Sequence, residues 1–116
     1  MKVDDIRVFI PAKDFAVSKA FYTALGFNGS DASEDLTLYE KGDCYFFLSR
    51  FYNQELATNL MMQLSVHDID EAYEHISSIQ GFDIKFTQIK TEPWGKVVYL
   101  WGPSGELWHV TEFNLR

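Results

Sequence analysis

Gly102-Pro103-Ser104-Gly105 limits what this chain can fold into more than any other stretch. Glycine and proline together favour a tight reversal. Runs rich in Val, Leu, Tyr and Trp flank these four residues, near 97–101 and 106–113. Two such runs around a turn predict a β-hairpin. Side chains alternate across a strand, so Val98, Leu100, Trp108 and Val110 fall on one face of it. Val97, Tyr99, Trp101, Leu107, His109 and Thr111 fall on the other. A slip of one residue would exchange the two sets.

The order of elements before the hairpin can be read in the same way. Ile6, Val8 and Ile10 alternate with Arg7 and Phe9, as in a half-buried strand that Pro11 ends or leaves at an edge. Asp14 predicts a helix N-cap and Gly26 the C-terminal cap, with Val17, Phe21, Tyr22 and Leu25 as the apolar face. Short strands follow near 27–30 and 37–40, then a turn at Lys41-Gly42-Asp43 and a stronger strand over 44–49. Residues 50–59 read as a polar linker. A strand over 60–66 comes next, then a helix capped by Asp68 with Glu71 three residues on. Its apolar stripe is Ile69, Ala72, Tyr73, Ile76 and Ile79, and Gly81 ends it. Three strands near 84–89, 97–101 and 106–113 complete the chain. The order is βαβββ twice, in one α+β domain, with module 1 over about 1–50 and module 2 over about 60–116.

Composition narrows the function. The chain has 116 residues, 47% of them hydrophobic and 23% charged, which suits a packed core and not a disordered segment. No apolar run approaches the ~20 residues of a membrane span. Met1-Lys2-Val3-Asp4-Asp5 lacks the basic and apolar regions of a signal peptide. The single cysteine, Cys44, excludes an internal disulfide and points to the cytoplasm; it reads as an inert core residue. A net charge of −7 argues against nucleic acid and is compatible with a cationic ligand drawn to an acidic cleft. His67 and His75 read as surface residues. No nucleophilic triad and no phosphate loop can be assembled.

Two motifs together resemble one family. Asp14-Phe15-x-x-Ser18-x-x-Phe21-Tyr22-x-x-Leu25-Gly26-Phe27 and the closing Pro93-Trp94-Gly95 hairpin are similar to segments of the glyoxalase/bleomycin resistance protein/dioxygenase (vicinal oxygen chelate) superfamily, nearest its bleomycin-resistance-like branch. The resemblance spans Ile6 to Glu112. It implies two βαβββ modules whose mixed sheets curl around a cleft, with helices on the convex side. It also implies a homodimer with clefts at the subunit interface, sometimes with an exchanged N-terminal strand. Val98, Leu100, Trp108 and Val110, with Met62, Leu64 and Val66, should then lie under a helix. The cleft should be lined by Arg7, Phe9, Tyr45, Phe47, Met61, Gln63, Tyr99, Trp101, His109 and Thr111. Trp94 and the linker residues Phe51 and Tyr52 should border it. Aromatic faces of this kind stack planar or cationic ligands.

Enzymes of the superfamily hold a divalent ion on the first strand of each module and on the last strand. The resemblance puts those positions on Arg7, Met61 and His109. Arginine keeps its proton and a thioether is too soft for Mg, Mn or Fe(II), so no metal and no other cofactor is expected. The resemblance therefore implies a metal-independent protein that binds or sequesters a small molecule. A lyase or dioxygenase with a non-standard metal site, or a structural dimer with a vestigial cleft, are the alternatives. Bleomycin-resistance proteins carry groove-facing tryptophans where this chain has Met61, Gln63 and Ser65, so the drug itself is left open.

Overall fold

Asp14 starts the first helix as the sequence predicts. In the computed structural model, which describes residues 1–114, its carboxylate accepts from the Val17 amide at 3.2 Å. Helix α1 runs Phe15–Leu25 and ends on Gly26 at φ 118°, a left-handed conformation that a side chain would strain. It belongs to a first set of strands, β1 (Phe9–Pro11), β2 (Asn28–Ser33), β3 (Leu36–Lys41) and β4 (Cys44–Ser49). These form one sheet in the order β1-β4-β3-β2, with β1 parallel to β4 and the other pairs antiparallel.

The second half repeats the pattern. Strand β5 (Met61–Ser65) leads to α3 (Ile69–Ser78), then to β6 (Lys85–Phe86), β7 (Lys90–Glu92), β8 (Gly95–Trp101) and β9 (Leu107–Phe113). The sheet order is β5-β9-β8-β6, and β7 also pairs with β8. Again the first strand is parallel to the last. The fold is thus α+β, with the βαβββ order twice.

Four segments differ from the sequence reading. The first strand, expected to alternate from Ile6 to Ile10, covers only Phe9–Pro11, so Ile6, Arg7 and Val8 precede it and Ile6 is exposed. Residues 50–59 are not wholly linker: they contain α2 (Gln54–Asn59), which Asn53 caps by accepting from the Leu56 amide at 3.0 Å. A polar helix of fewer than two turns leaves little periodicity to read. The strand expected near 84–89 is two short pieces, β6 and β7, both on β8. Helix α3 ends at Ser78 with Ile79 as its cap, before Gly81, which lies beyond it at φ 88°. Two residues also move between core and surface. Val17 is 38% exposed, and Phe15 and Ser18 take its place on the buried face of α1. Cys44 is exposed, because it opens β4 at the sheet's end, opposite Lys41.

One core joins the halves. Val98, Leu100, Trp108 and Val110 are all buried, as alternation requires, with Met62, Leu64 and Val66 packed against them. Tyr22 of α1 touches Tyr39 and Phe46 on the first sheet and Trp108 on the second. Phe46 and Trp108 also meet directly, with ring centroids 5.6 Å apart. The helix-covered faces of the two sheets therefore look toward each other.

A buried polar chain crosses this core. The Trp108 indole donates to the Tyr22 hydroxyl at 3.0 Å, and that hydroxyl donates to the Glu106 carboxylate at 2.6 Å. The Ser104 amide donates to the other carboxylate oxygen at 2.9 Å. Ser104 in turn accepts from the Lys13 amide at 2.8 Å, so the hairpin turn is docked on the start of α1. Gly102 leaves room for this carboxylate: a Cβ on it would lie 2.7 Å from the Glu106 carboxyl carbon, so the carboxylate would have to shift. Burial pushes the Glu106 carboxyl up, with the Tyr22 hydroxyl and backbone amides pulling it partly back. Burial and the Glu106 charge push Tyr22 well up.

Two contacts tie α3 to its surroundings. The Ile69 amide donates to the Glu112 carboxylate of β9 at 2.9 Å. His75, read from sequence as a simple surface residue, is exposed but has a structural task. Its Nε2 lies 3.0 and 3.1 Å from the Ala24 and Leu25 carbonyls, and as a donor it satisfies the C-terminus of α1.

Candidate functional site

With the helix-side faces turned inward, the other face of each sheet is free to meet a ligand. Strand register arranges the outward side chains of the second sheet in rows. Gln63, His109 and Tyr99 are cross-strand partners, and so are Met61, Leu107 and Trp101. Next to them runs the row Ser65, Thr111 and Val97. The face thus combines aromatic rings, an amide and an imidazole, a mixture suited to holding a small molecule.

His109 stands at the centre of this face. Its ring packs edge-on against Tyr99 at 5.0 Å between centroids. Its Nε2 is buried and makes no hydrogen bond among the described residues. Buried polar atoms are nearly always paired, so a lone imidazole nitrogen calls for an explanation. Thr111 does not supply the partner: its hydroxyl donates to the His109 carbonyl at 3.2 Å.

The sequence-derived cleft residues do not gather in one place within the chain. Met61, Gln63, Tyr99, Trp101 and His109 share the outward face of the second sheet. Arg7, Phe9, Tyr45 and Phe47 share that of the first: Phe9 stacks on Phe47 at 4.9 Å, and the Arg7 guanidinium lies 4.6 Å from the Tyr45 ring centre. Among the described residues, no ring contact, cation–π contact or hydrogen bond joins the two groups. Thr111 was expected to line the cleft, yet it is 1% exposed, as is Val97. Trp94 is 49% exposed in the turn between β7 and β8, held by Asn114 at the margin of the second sheet. Phe51 is exposed and Tyr52 half-buried on the connection from β4 to α2.

Two residues absent from the sequence-level list belong to this face. Lys85 places its ammonium 4.5 Å from the Trp101 ring centre, and Lys90 places its own 5.8 Å from that of Tyr99. Lys85 pairs with Trp101 across β6 and β8, so strand alternation would have found it had the register of β6 been known. The expectation of a cationic ligand, drawn from net charge, therefore meets two lysines on the aromatic floor.

The residues at the superfamily's metal positions do not suit a divalent ion. Arg7 lies on the segment before β1, bonded to Asp5 at 3.2 Å, while Met61 and His109 lie on the second sheet. Among the described residues, no three His, Cys, Asp or Glu side chains come together in a way that could hold a metal.

A separate cavity of about 540 Å³ opens between α1, β5 and α3, on the helix side of the second sheet. Leu25, Phe27, Leu64, Ile76 and Val110 line it. Two polar groups on its wall are already engaged with the end of α1: His75, as above, and Lys41, whose ammonium donates to the Gly26 carbonyl at 3.3 Å. Cys44, Ser65, His67 and Glu71 also lie on its wall, so it joins an apolar lining to several polar groups.

Solved structures share this architecture. The bleomycin-binding protein of bleomycin-producing Streptomyces verticillus, solved with copper(II)-bleomycin, has a TM-score of 0.78 at 23% identity, over 96% of this chain and 98% of that one. TnmS3, an antibiotic-binding protein of Streptomyces sp. CB03234, has a TM-score of 0.81 at 16% identity, over 98% of this chain and 99% of that one. The fosfomycin resistance protein FosX of Listeria monocytogenes, solved with Mn(II) and sulfate, has a TM-score of 0.78 at 12% identity, over 99% and 94%. No family model and no curated protein sequence matches the chain.

Proposed function

We propose, from the glyoxalase/bleomycin resistance fold that this chain has, that it binds and sequesters an aromatic small molecule without a metal and without chemistry. One observation carries the reading: His109 holds an unpaired Nε2 beside Tyr99, on an outward face that also presents Trp101. That nitrogen is buried, so a ligand stacked on those rings would supply the missing hydrogen bond as the imidazole turns toward it. Shared architecture with bleomycin-binding and antibiotic-binding proteins supports small-molecule binding in general, and the drug is not carried over. Metal independence is supported by the donor chemistry of Arg7 and Met61. A cytoplasmic setting is supported by the single free cysteine.

The working unit in this reading is a homodimer. Strands β1 and β5 each end their sheet, with one side open. Apolar side chains are exposed on both: Phe9 is 54% and Met61 65% exposed. Open edges and exposed apolar groups invite a second copy. A two-fold partner would bring the Arg7, Phe9, Tyr45 and Phe47 face of one chain beside the His109 face of the other, forming two equivalent clefts.

Titration calorimetry of chelator-treated protein with Mn²⁺, Ni²⁺ and Zn²⁺ tests metal independence. No stoichiometric site tighter than about micromolar is expected, because three protein ligands are normally needed. A stoichiometric heat that disappears in His109→Ala would make the protein a metalloenzyme candidate instead. Light scattering at micromolar concentration should give twice the chain mass, and a monomer would remove the shared cleft.

A further inference from the structure

We infer that the ligand of the His109 face is a planar aromatic anion, such as an aromatic carboxylate or phenolate, and not a cation. The inference rests on the binding reading above and assigns the charge of what is bound. The chain as a whole is acidic, with 17 Asp and Glu against 10 Lys and Arg, so a cationic partner would be the default choice. The local arrangement is the reverse. Lys85 covers Trp101 and Lys90 covers Tyr99, so the rings that would attract a cation already have one from the protein itself.

Neither lysine forms an ion pair among the described residues, where the only three salt bridges involve Arg7, Lys19 and Arg50. The carboxylates nearest in sequence are Asp83, two residues before Lys85, and Glu92, two residues beyond Lys90; among the described residues neither makes a bridge to either lysine. The first sheet's outward face is different, since its Arg7 is neutralised by Asp5 at 3.2 Å. A cationic ligand reaching for Trp101 or Tyr99 would displace a lysine and meet its repulsion. A flat anion can instead draw Lys85 and Lys90 off the rings into charge-assisted hydrogen bonds and stack on the faces so freed.

Three probes with one ring system test the charge: naphthalene-2-carboxylate, 2-naphthamide and (2-naphthyl)trimethylammonium, each titrated calorimetrically into the full chain. The carboxylate should bind at least about tenfold more tightly than the ammonium, and its affinity should fall as salt rises. Lys85→Gln and Lys90→Gln are surface changes that leave the core intact. Each should weaken the carboxylate about threefold to tenfold and leave the amide within about twofold. Ammonium binding as tight as the carboxylate, or tighter, would overturn the charge assignment while leaving the binding reading in place. If none of the three binds, both readings fall.

Discussion

Glu106→Ala should cost roughly 3–5 kcal/mol of folding stability, a large share of the ~5–15 kcal/mol that holds a domain of this kind together. Glu106 is wholly buried, and its carboxylate accepts from the Tyr22 hydroxyl and the Ser104 amide. Truncation strands both donors at about 1–3 kcal/mol each and leaves a cavity, offset in part by releasing a desolvated carboxyl. The loss should grade with pH. The folded carboxyl is raised above its ordinary 4.5, so Glu106 contributes most below that value. The contribution is lost as pH rises through the folded value, because ionising the buried group then opposes folding. Tyr22, raised well above 10.0, acts with the same sign in alkali. Urea denaturation of the wild type and Glu106→Gln from pH 4.5 upward checks this, and their stability difference should shrink as pH rises. A Glu106→Ala loss below about 1 kcal/mol would mean that the carboxyl is solvated and the turn is not docked on α1.

Trp108→Ala should cost roughly 3–5 kcal/mol, as for other buried aromatics. Trp108 is 5% exposed, touches Tyr22, Phe27 and Phe46, and donates its indole N–H to the Tyr22 hydroxyl. Trp101, seven residues earlier on the neighbouring strand, is half-buried on the opposite face. Trp101→Ala should cost well under half as much. Chemical denaturation of the two variants gives the comparison, and a greater loss at Trp101 would mean that the faces of the second sheet are exchanged.

Much of this architecture could be read from residues because its signals are local. Asp14, Asp68 and Gly26 mark helix ends by hydrogen bonding and φ, properties of a few consecutive residues. Val98, Leu100, Trp108 and Val110 sort by period two once the Gly102–Gly105 turn fixes the hairpin. What could not be read depends on distance in sequence. Tyr22 and Glu106 are 84 residues apart, and nothing near either marks the pairing. Lys85 and Lys90 cannot be placed from sequence because β6 and β7 are too short to show alternation. Period two sorts the residues of each strand by face, but it cannot say which way two sheets turn relative to each other. Phe46 against Trp108 decides that, and it sends the Arg7 set and the His109 set to different sides of the chain.

The site itself is tested most directly by which tryptophan a ligand touches. Nitrogen-15 correlation spectra of the full chain resolve side-chain indole signals, and naphthalene-2-carboxylate can be titrated into the sample. The Trp101 indole and the His109 ring should shift together and saturate with one affinity, with Trp108 and Ile76 unmoved. Shifts concentrated at Ile76, Leu64 and Trp108, with Trp101 still, would place the ligand in the helix-side cavity and contradict the assignment of the outward face.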